Sequence, residues 1–66
     1  MADETELEMA ERKVREAGSQ VARQREIIAE YRRGGVTVRR AERLLAAFEA
    51  TLAENQKHLA HLQGAE

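Results

Sequence analysis

The chain has 66 residues, with 11 lysines and arginines, 12 aspartates and glutamates, and a net charge of −1. One domain is the most that this length supports, and 35% charged residues with 3% aromatic residues favour long helices or a coiled coil over a globular enzyme. Cysteine is absent, which excludes a disulfide-stapled fold and predicts a cytoplasmic protein. No apolar run approaches the roughly 20 residues of a membrane span, so no membrane partner is expected.

The strongest turn signal is the pair Gly34-Gly35. We therefore predict an all-α fold, a two-helix antiparallel hairpin in a single domain that covers residues 1–66. The first helix is predicted from about residue 3 to 33, the turn from about 34 to 37, and the second helix from about 38 to 63.

Charged and small residues predict how the helices begin and end. Asp3, Glu4 and Glu6 are expected in the first turn of the first helix, where negative charge complements the helix dipole. Gly34 is expected to take the left-handed conformation after this helix, and Thr37 is expected to cap the second one.

Both helices carry an apolar stripe with alternating spacings of three and four residues, the heptad repeat of coiled coils. The stripe of the first helix comprises Leu7, Ala10, Val14, Ala17, Val21, Gln24, Ile28 and Tyr31. The stripe of the second helix comprises Ala41, Leu45, Phe48, Leu52, Asn55, Leu59 and Leu62. This period of about 3.5 residues predicts nearly antiparallel packing of the two helices.

The apolar stripe of the second helix is wider than one partner helix covers, because Leu44, Ala47 and Thr51 flank it. We therefore predict a homodimer in which two hairpins form an antiparallel four-helix bundle. Its core is predicted to contain Leu7, Val14, Val21, Ile28, Tyr31, Leu44, Leu45, Phe48, Leu52, Leu59 and Leu62.

Two polar residues occupy heptad positions, where they lower stability but can fix register. With the turn centred near Gly35, Gln24 is expected opposite Leu45, and Asn55 opposite Val14. The two amides then cannot pair with each other. Each is expected to reach water or to find a partner across the dimer interface.

Charge is segregated along the predicted hairpin. The acidic segment, residues 3–11, carries five carboxylates and no base, whereas the turn region carries five arginines against Glu42 alone. We call these arginines the arginine tip: Arg32, Arg33, Arg39, Arg40 and Arg43. Three interpretations stay open for the tip: contact with the phosphates of RNA or DNA, contact with the acidic segment of another subunit, or simple solvation.

Histidines offer the only metal-ligand pattern that the sequence suggests. His58 and His61 share a helical face, and Glu54 lies one turn before His58. Surface histidines near a helix C-terminus are the simpler interpretation, so we predict no metal site and no cofactor. The alternative is a metal site at the dimer ends, where a dimer could bring two histidine pairs together. Ser19, the only serine, is not expected near either histidine, and no catalytic constellation is recognised.

The segments Arg23–Ile28 and Ala41–Glu49 read RQREII and AERLLAAFE, and a glycine turn separates them. In this order they resemble a group of short helical-hairpin proteins of alphaproteobacteria. The resemblance covers about two-thirds of the chain and implies a hairpin without assigned activity or binding residues. A looser architectural likeness links the predicted bundle to Rop-type RNA-binding proteins.

These observations predict a non-catalytic protein-interaction or oligomerisation module, or a small regulatory adaptor. Its expected partners are a second copy of itself and an unidentified protein. The alternative is a protein that binds RNA or DNA through the arginine tip.

Overall fold

In a computed structural model, which describes residues 3–64, the chain forms two α-helices that pack against each other as a hairpin. Helix α1 spans Glu6–Arg33 and helix α2 spans Arg39–Gly64, with residues 34–38 between them. No strand occurs within the described range. The predicted all-α hairpin is confirmed.

Helix α1 begins later than predicted because Thr5 caps it. The Thr5 hydroxyl accepts a hydrogen bond from the Glu8 amide, and the Glu8 carboxylate accepts one from the Thr5 amide, both at 3.1 Å. This capping box satisfies backbone donors that have no partner within the helix. Asp3 and Glu4 therefore precede the helix, and Glu6 and Glu8 are the acidic residues of its first turn. The hydrogen bonds from the backbone and then the side chain of Thr5 lower the pKa of Glu8.

Substitution of Thr5 by alanine is expected to lower the free energy of unfolding by about 1 kcal/mol, because the helix loses its N-cap. Thr37→Ala is the matched control and is expected to change stability by less than about 0.5 kcal/mol, the usual effect of a surface substitution. Urea denaturation followed by circular dichroism measures both. Equal losses in the two variants would contradict the assigned cap.

The turn after α1 is a Schellman motif centred on Gly35. The Val36 amide donates to the Tyr31 carbonyl at 2.9 Å, and the Gly35 amide donates to the Arg32 carbonyl at 3.2 Å. Gly35 has φ of 75°, whereas Gly34 stays right-handed with φ of −83°. The prediction that Gly34 is the left-handed residue is therefore wrong by one position.

Helix α2 begins at Arg39, so the prediction that Thr37 caps it is also wrong. The residue directly before the helix is Val38, whose carbonyl accepts a hydrogen bond from the Glu42 amide at 2.8 Å. Thr37 lies in the connection between the helices, one residue before the cap position that Val38 occupies.

The heptad stripes form the contact between the helices. In α1 the buried residues are all stripe residues, Ala10, Ala17, Val21, Gln24 and Ile28. In α2 no residue is fully buried, and the half-buried ones are all stripe residues: Ala41, Leu45, Phe48, Leu52, Asn55, Leu59 and Leu62. The exception is Tyr31, which was predicted as core but is 43% exposed. Tyr31 lies in the last turn of α1, near the first turn of α2. This turn of α2 carries Arg39 and Arg40 and no large apolar side chain that would cover the ring.

The hairpin is one helix thick. Its principal extents are 49 × 26 × 13 Å, and its radius of gyration is 15.3 Å, against about 11 Å for a compact domain of this length. Stable domains usually bury their apolar faces between two layers of secondary structure. Each broad face of this layer is therefore open to a partner.

Candidate interaction surface

An apolar groove lies on one broad face of the hairpin, beside the turn. It has a volume of about 430 Å³ and adjoins a smaller depression of about 290 Å³ further from the turn. We call this surface the groove face; it is formed by Ile27, Tyr31, Leu44 and Phe48, with Arg23 and Arg40 at its edges. Tyr31 and Phe48 belong to the heptad stripes, and Ile27 and Leu44 flank them, so the groove lies along one edge of the interhelical contact.

Leu44 and Tyr31 leave much of their apolar surface in contact with solvent on the groove face. Leu44 is 47% exposed and Tyr31 is 43% exposed. Isolated apolar side chains on a surface are common, but a contiguous apolar patch with a polar edge is typical of an interaction site. The flanking position of Leu44, noted in the sequence, is what leaves it outside the interhelical contact.

The other residues of the predicted dimer core divide between two levels of burial. The hairpin buries Val21 and Ile28 by itself. It leaves a larger group only partly covered: Leu7, Val14, Leu45, Phe48, Leu52, Leu59 and Leu62. A second hairpin could therefore still bury apolar surface of these residues.

Gln24 forms the floor of the groove and is satisfied within one hairpin. Its side chain is 6% exposed, and its Nε2 donates a hydrogen bond to the Ala41 carbonyl at 3.0 Å. The prediction that Gln24 needs water or a dimer partner is thus wrong. The predicted register is nearly right, because Ala41 lies one turn before Leu45, and the long amide reaches the backbone there.

The opposite broad face of the hairpin carries interhelical ion pairs. Arg25 contacts Glu49 at 3.2 Å, and Arg32 contacts Glu42 at 3.5 Å, with all four side chains largely exposed. Exposed pairs of this kind contribute little, about 0–1 kcal/mol each. The two faces therefore differ: one is apolar, and the other is bridged by charges.

The arginine tip is exposed at all five positions. Arg32 is paired with Glu42, whereas no carboxylate of residues 3–64 lies within 4 Å of the guanidinium groups of Arg33, Arg39, Arg40 or Arg43. Three of these four, Arg39, Arg40 and Arg43, lie in the first turns of α2, where positive charge opposes the helix dipole. The tip therefore holds a concentration of uncompensated positive charge.

The acidic segment at the other end of the hairpin is only partly neutralised. Arg12 bonds both carboxylate oxygens of Glu4 at 3.1 and 3.2 Å and also pairs with Glu16 at 3.0 Å. Asp3, Glu6 and Glu11 are exposed and form no ion pair with any residue in the described range. The acidic and basic segments of the sequence thus form an acidic and a basic surface at opposite ends of the hairpin.

The histidines lie on the exposed surface of α2. Neither His58 nor His61 is buried, and the described residues contain no cluster of three or more side chains able to hold a metal ion. Within residues 3–64, neither helix combines the length and apolar character that crossing a membrane requires.

Comparison of the chain with protein-family models, with curated proteins and with solved structures gave no match. The resemblance to alphaproteobacterial hairpin proteins therefore stays a prediction.

Proposed function

We propose that the chain is a non-catalytic protein-interaction module that first associates with a second copy of itself, forming a four-helix bundle through the groove face. The observation that carries this proposal is the exposure of Leu44 and Tyr31 beside a groove in a hairpin one helix thick. A four-helix bundle gives each helix the second apolar partner that the single hairpin lacks.

The surface area of the chain supports association. It exposes 5371 Å² to solvent, whereas a compact domain of 7.5 kDa exposes about 4,200 Å². The excess is comparable to the roughly 800 Å² that each partner buries in a stable protein interface. The area that each chain would bury by packing two groove faces together is thus similar to the extra surface that its elongated shape exposes.

Replacement of Leu44 by glutamate is expected to convert a dimer into a monomer, because the charge would lie in an apolar interface. Static light scattering should give a mass of two chains for the wild type and one chain for the variant. Far-UV circular dichroism should stay helical, since Leu44 is largely exposed in the single hairpin. Ala50→Glu, at an exposed position of the same helix, is the matched control and should leave the dimer intact. A monomeric wild type, or equal masses for both variants, would contradict the proposal.

A second candidate function, binding of RNA or DNA, is favoured by the four arginines of the tip that have no carboxylate partner among residues 3–64. Phosphate contacts make affinity fall steeply with salt. If the tip binds phosphates, changing Arg39, Arg40 and Arg43 together to glutamate should abolish retention of a labelled RNA or DNA hairpin at 50 mM salt, measured by fluorescence anisotropy.

The control for this test makes the same change in net charge away from the tip, at Lys13, Arg15 and Lys57. If wild type and both triple variants bind equally, or if none binds, the tip has no nucleic-acid role.

A further inference from the structure

We infer that the two hairpins of the dimer lie antiparallel, so that the acidic segment of each chain meets the arginine tip of the other. The inference rests on the proposed function, since it specifies how the second copy is placed on the groove face. Three features of the hairpin lead to it: the distance between its charged ends, the identity of its unpaired charges, and the position of Met9.

The charged ends cannot stabilise each other within one hairpin. Helix α1 has 28 residues and is therefore about 42 Å long at roughly 1.5 Å per residue. The Debye length at physiological ionic strength is about 8 Å, so the attraction between the ends is screened. Only a second molecule can bring positive and negative ends within this range.

The orientation of the second copy decides whether charges compensate or accumulate. Arg33, Arg39, Arg40 and Arg43 lack a carboxylate partner within the described residues. At the other end, Asp3, Glu6 and Glu11 lack a basic partner within the same residues. A parallel dimer would place two arginine tips side by side and two acidic segments side by side. The antiparallel dimer instead places opposite charges together at both ends, which favours this orientation.

The exposed apolar residues fit the same orientation. Met9 is 38% exposed and lies about five turns before Ile27 at roughly 3.6 residues per turn, on the same side of α1. A two-fold axis across the middle of the groove face stacks α1 on the partner's α1 in the opposite direction. Met9 then packs near the partner's Ile27, and Leu44 packs near the partner's half-buried Leu59.

Cysteine crosslinking distinguishes the orientations cleanly, because the natural chain contains no cysteine. Three single variants are made, Met9→Cys, Ile27→Cys and Leu44→Cys, and mixed in pairs with a bismaleimide whose spacer is about 10 Å long. The antiparallel dimer should give a crosslink between the Met9 and Ile27 variants. It should give none between the Ile27 and Leu44 variants, which a parallel dimer would join.

The control variant Ala50→Cys should crosslink with none of the three. Ala50 is exposed and lies outside both the heptad stripe and the groove face. Crosslinks between Ile27 and Leu44, or between two copies of the Ile27 variant, in a protein with the mass of two chains would overturn the antiparallel arrangement and leave the proposed function standing. A wild-type protein with the mass of one chain would instead overturn both.

Discussion

Replacement of Ile28 by alanine is expected to lower the free energy of unfolding by about 3 kcal/mol. Ile28 is 5% exposed and is a buried stripe residue of α1, near the turn. Removing three of its carbon atoms leaves a space that two helices held by one stripe each cannot readily close. A domain of this length has a total stability of about 3–10 kcal/mol, so much of the variant population should be unfolded at 37 °C.

Urea denaturation measures this effect at a fixed protein concentration, since the proposed association would make the apparent stability depend on concentration. Val36→Ala is the matched control: it also shortens an aliphatic residue, but Val36 is exposed in the connection between the helices. The control is expected to lose less than about 0.5 kcal/mol. A similar loss in both variants would show that the stripe does not hold the hairpin together.

Replacement of Gln24 by glutamate is expected to be as damaging at pH 7, with a loss of about 3 kcal/mol. The two side chains have nearly the same shape, but a carboxylate has no proton to donate to the Ala41 carbonyl, which lies 3.0 Å from the Gln24 nitrogen. Its charge would also be buried without a partner. The variant should therefore show a lower melting temperature at neutral pH.

Acidification should reverse the defect, because burial raises the pKa of the introduced carboxyl in the folded state above its value in the unfolded chain. The stability of the variant is therefore retained below the unfolded pKa of about 4.3 and lost as pH rises through the folded value. Gln56→Glu, at an exposed position of α2 outside the groove face, corrects for the titration of other carboxylates. A constant difference between the two variants from pH 3.5 to 7 would contradict the buried hydrogen bond.

The interhelical contact was predictable from the sequence because burial follows the heptad spacing. In α2 the positions predicted from periodicity are the same positions that the structure half-buries, from Ala41 to Leu62. Periodicity depends on helix geometry alone and needs no knowledge of the partner. The periodic pattern could not predict that α2 has no fully buried residue, because burial also depends on how many layers of helices cover it.

The errors concern contacts that a periodic pattern does not describe. Thr5 and Glu8 form a capping box with the readable spacing Thr-x-x-Glu, so the true start of α1 was present in the sequence. The left-handed residue, Gly35 instead of Gly34, depends on where the last helical hydrogen bond falls. Because Gly34 and Gly35 are adjacent and either could adopt positive φ, the local sequence does not show which of them does.

The groove face was only partly predictable. Leu44 was recognised as a residue beside the stripe, but Ile27 and the edge residues Arg23 and Arg40 were not assigned to the same surface. Their proximity depends on how the two helices pair across the turn. The bond from Gln24 to the Ala41 carbonyl has the same origin, because its acceptor is a backbone atom that leaves no side-chain signal.

The 13 Å thickness of the hairpin also determines how its backbone exchanges hydrogen with solvent. Beyond the first turn of each helix, the amides of α1 and α2 are shielded by their helical hydrogen bonds and at most one layer of side chains. Separation of the two helices therefore exposes these amides together. Slow exchange in the middle of α2, where one hairpin buries no residue fully, would then report the lifetime of the assembled bundle. If the chain dimerises as proposed, the kinetic stability of its fold becomes a property of the dimer and not of the isolated hairpin.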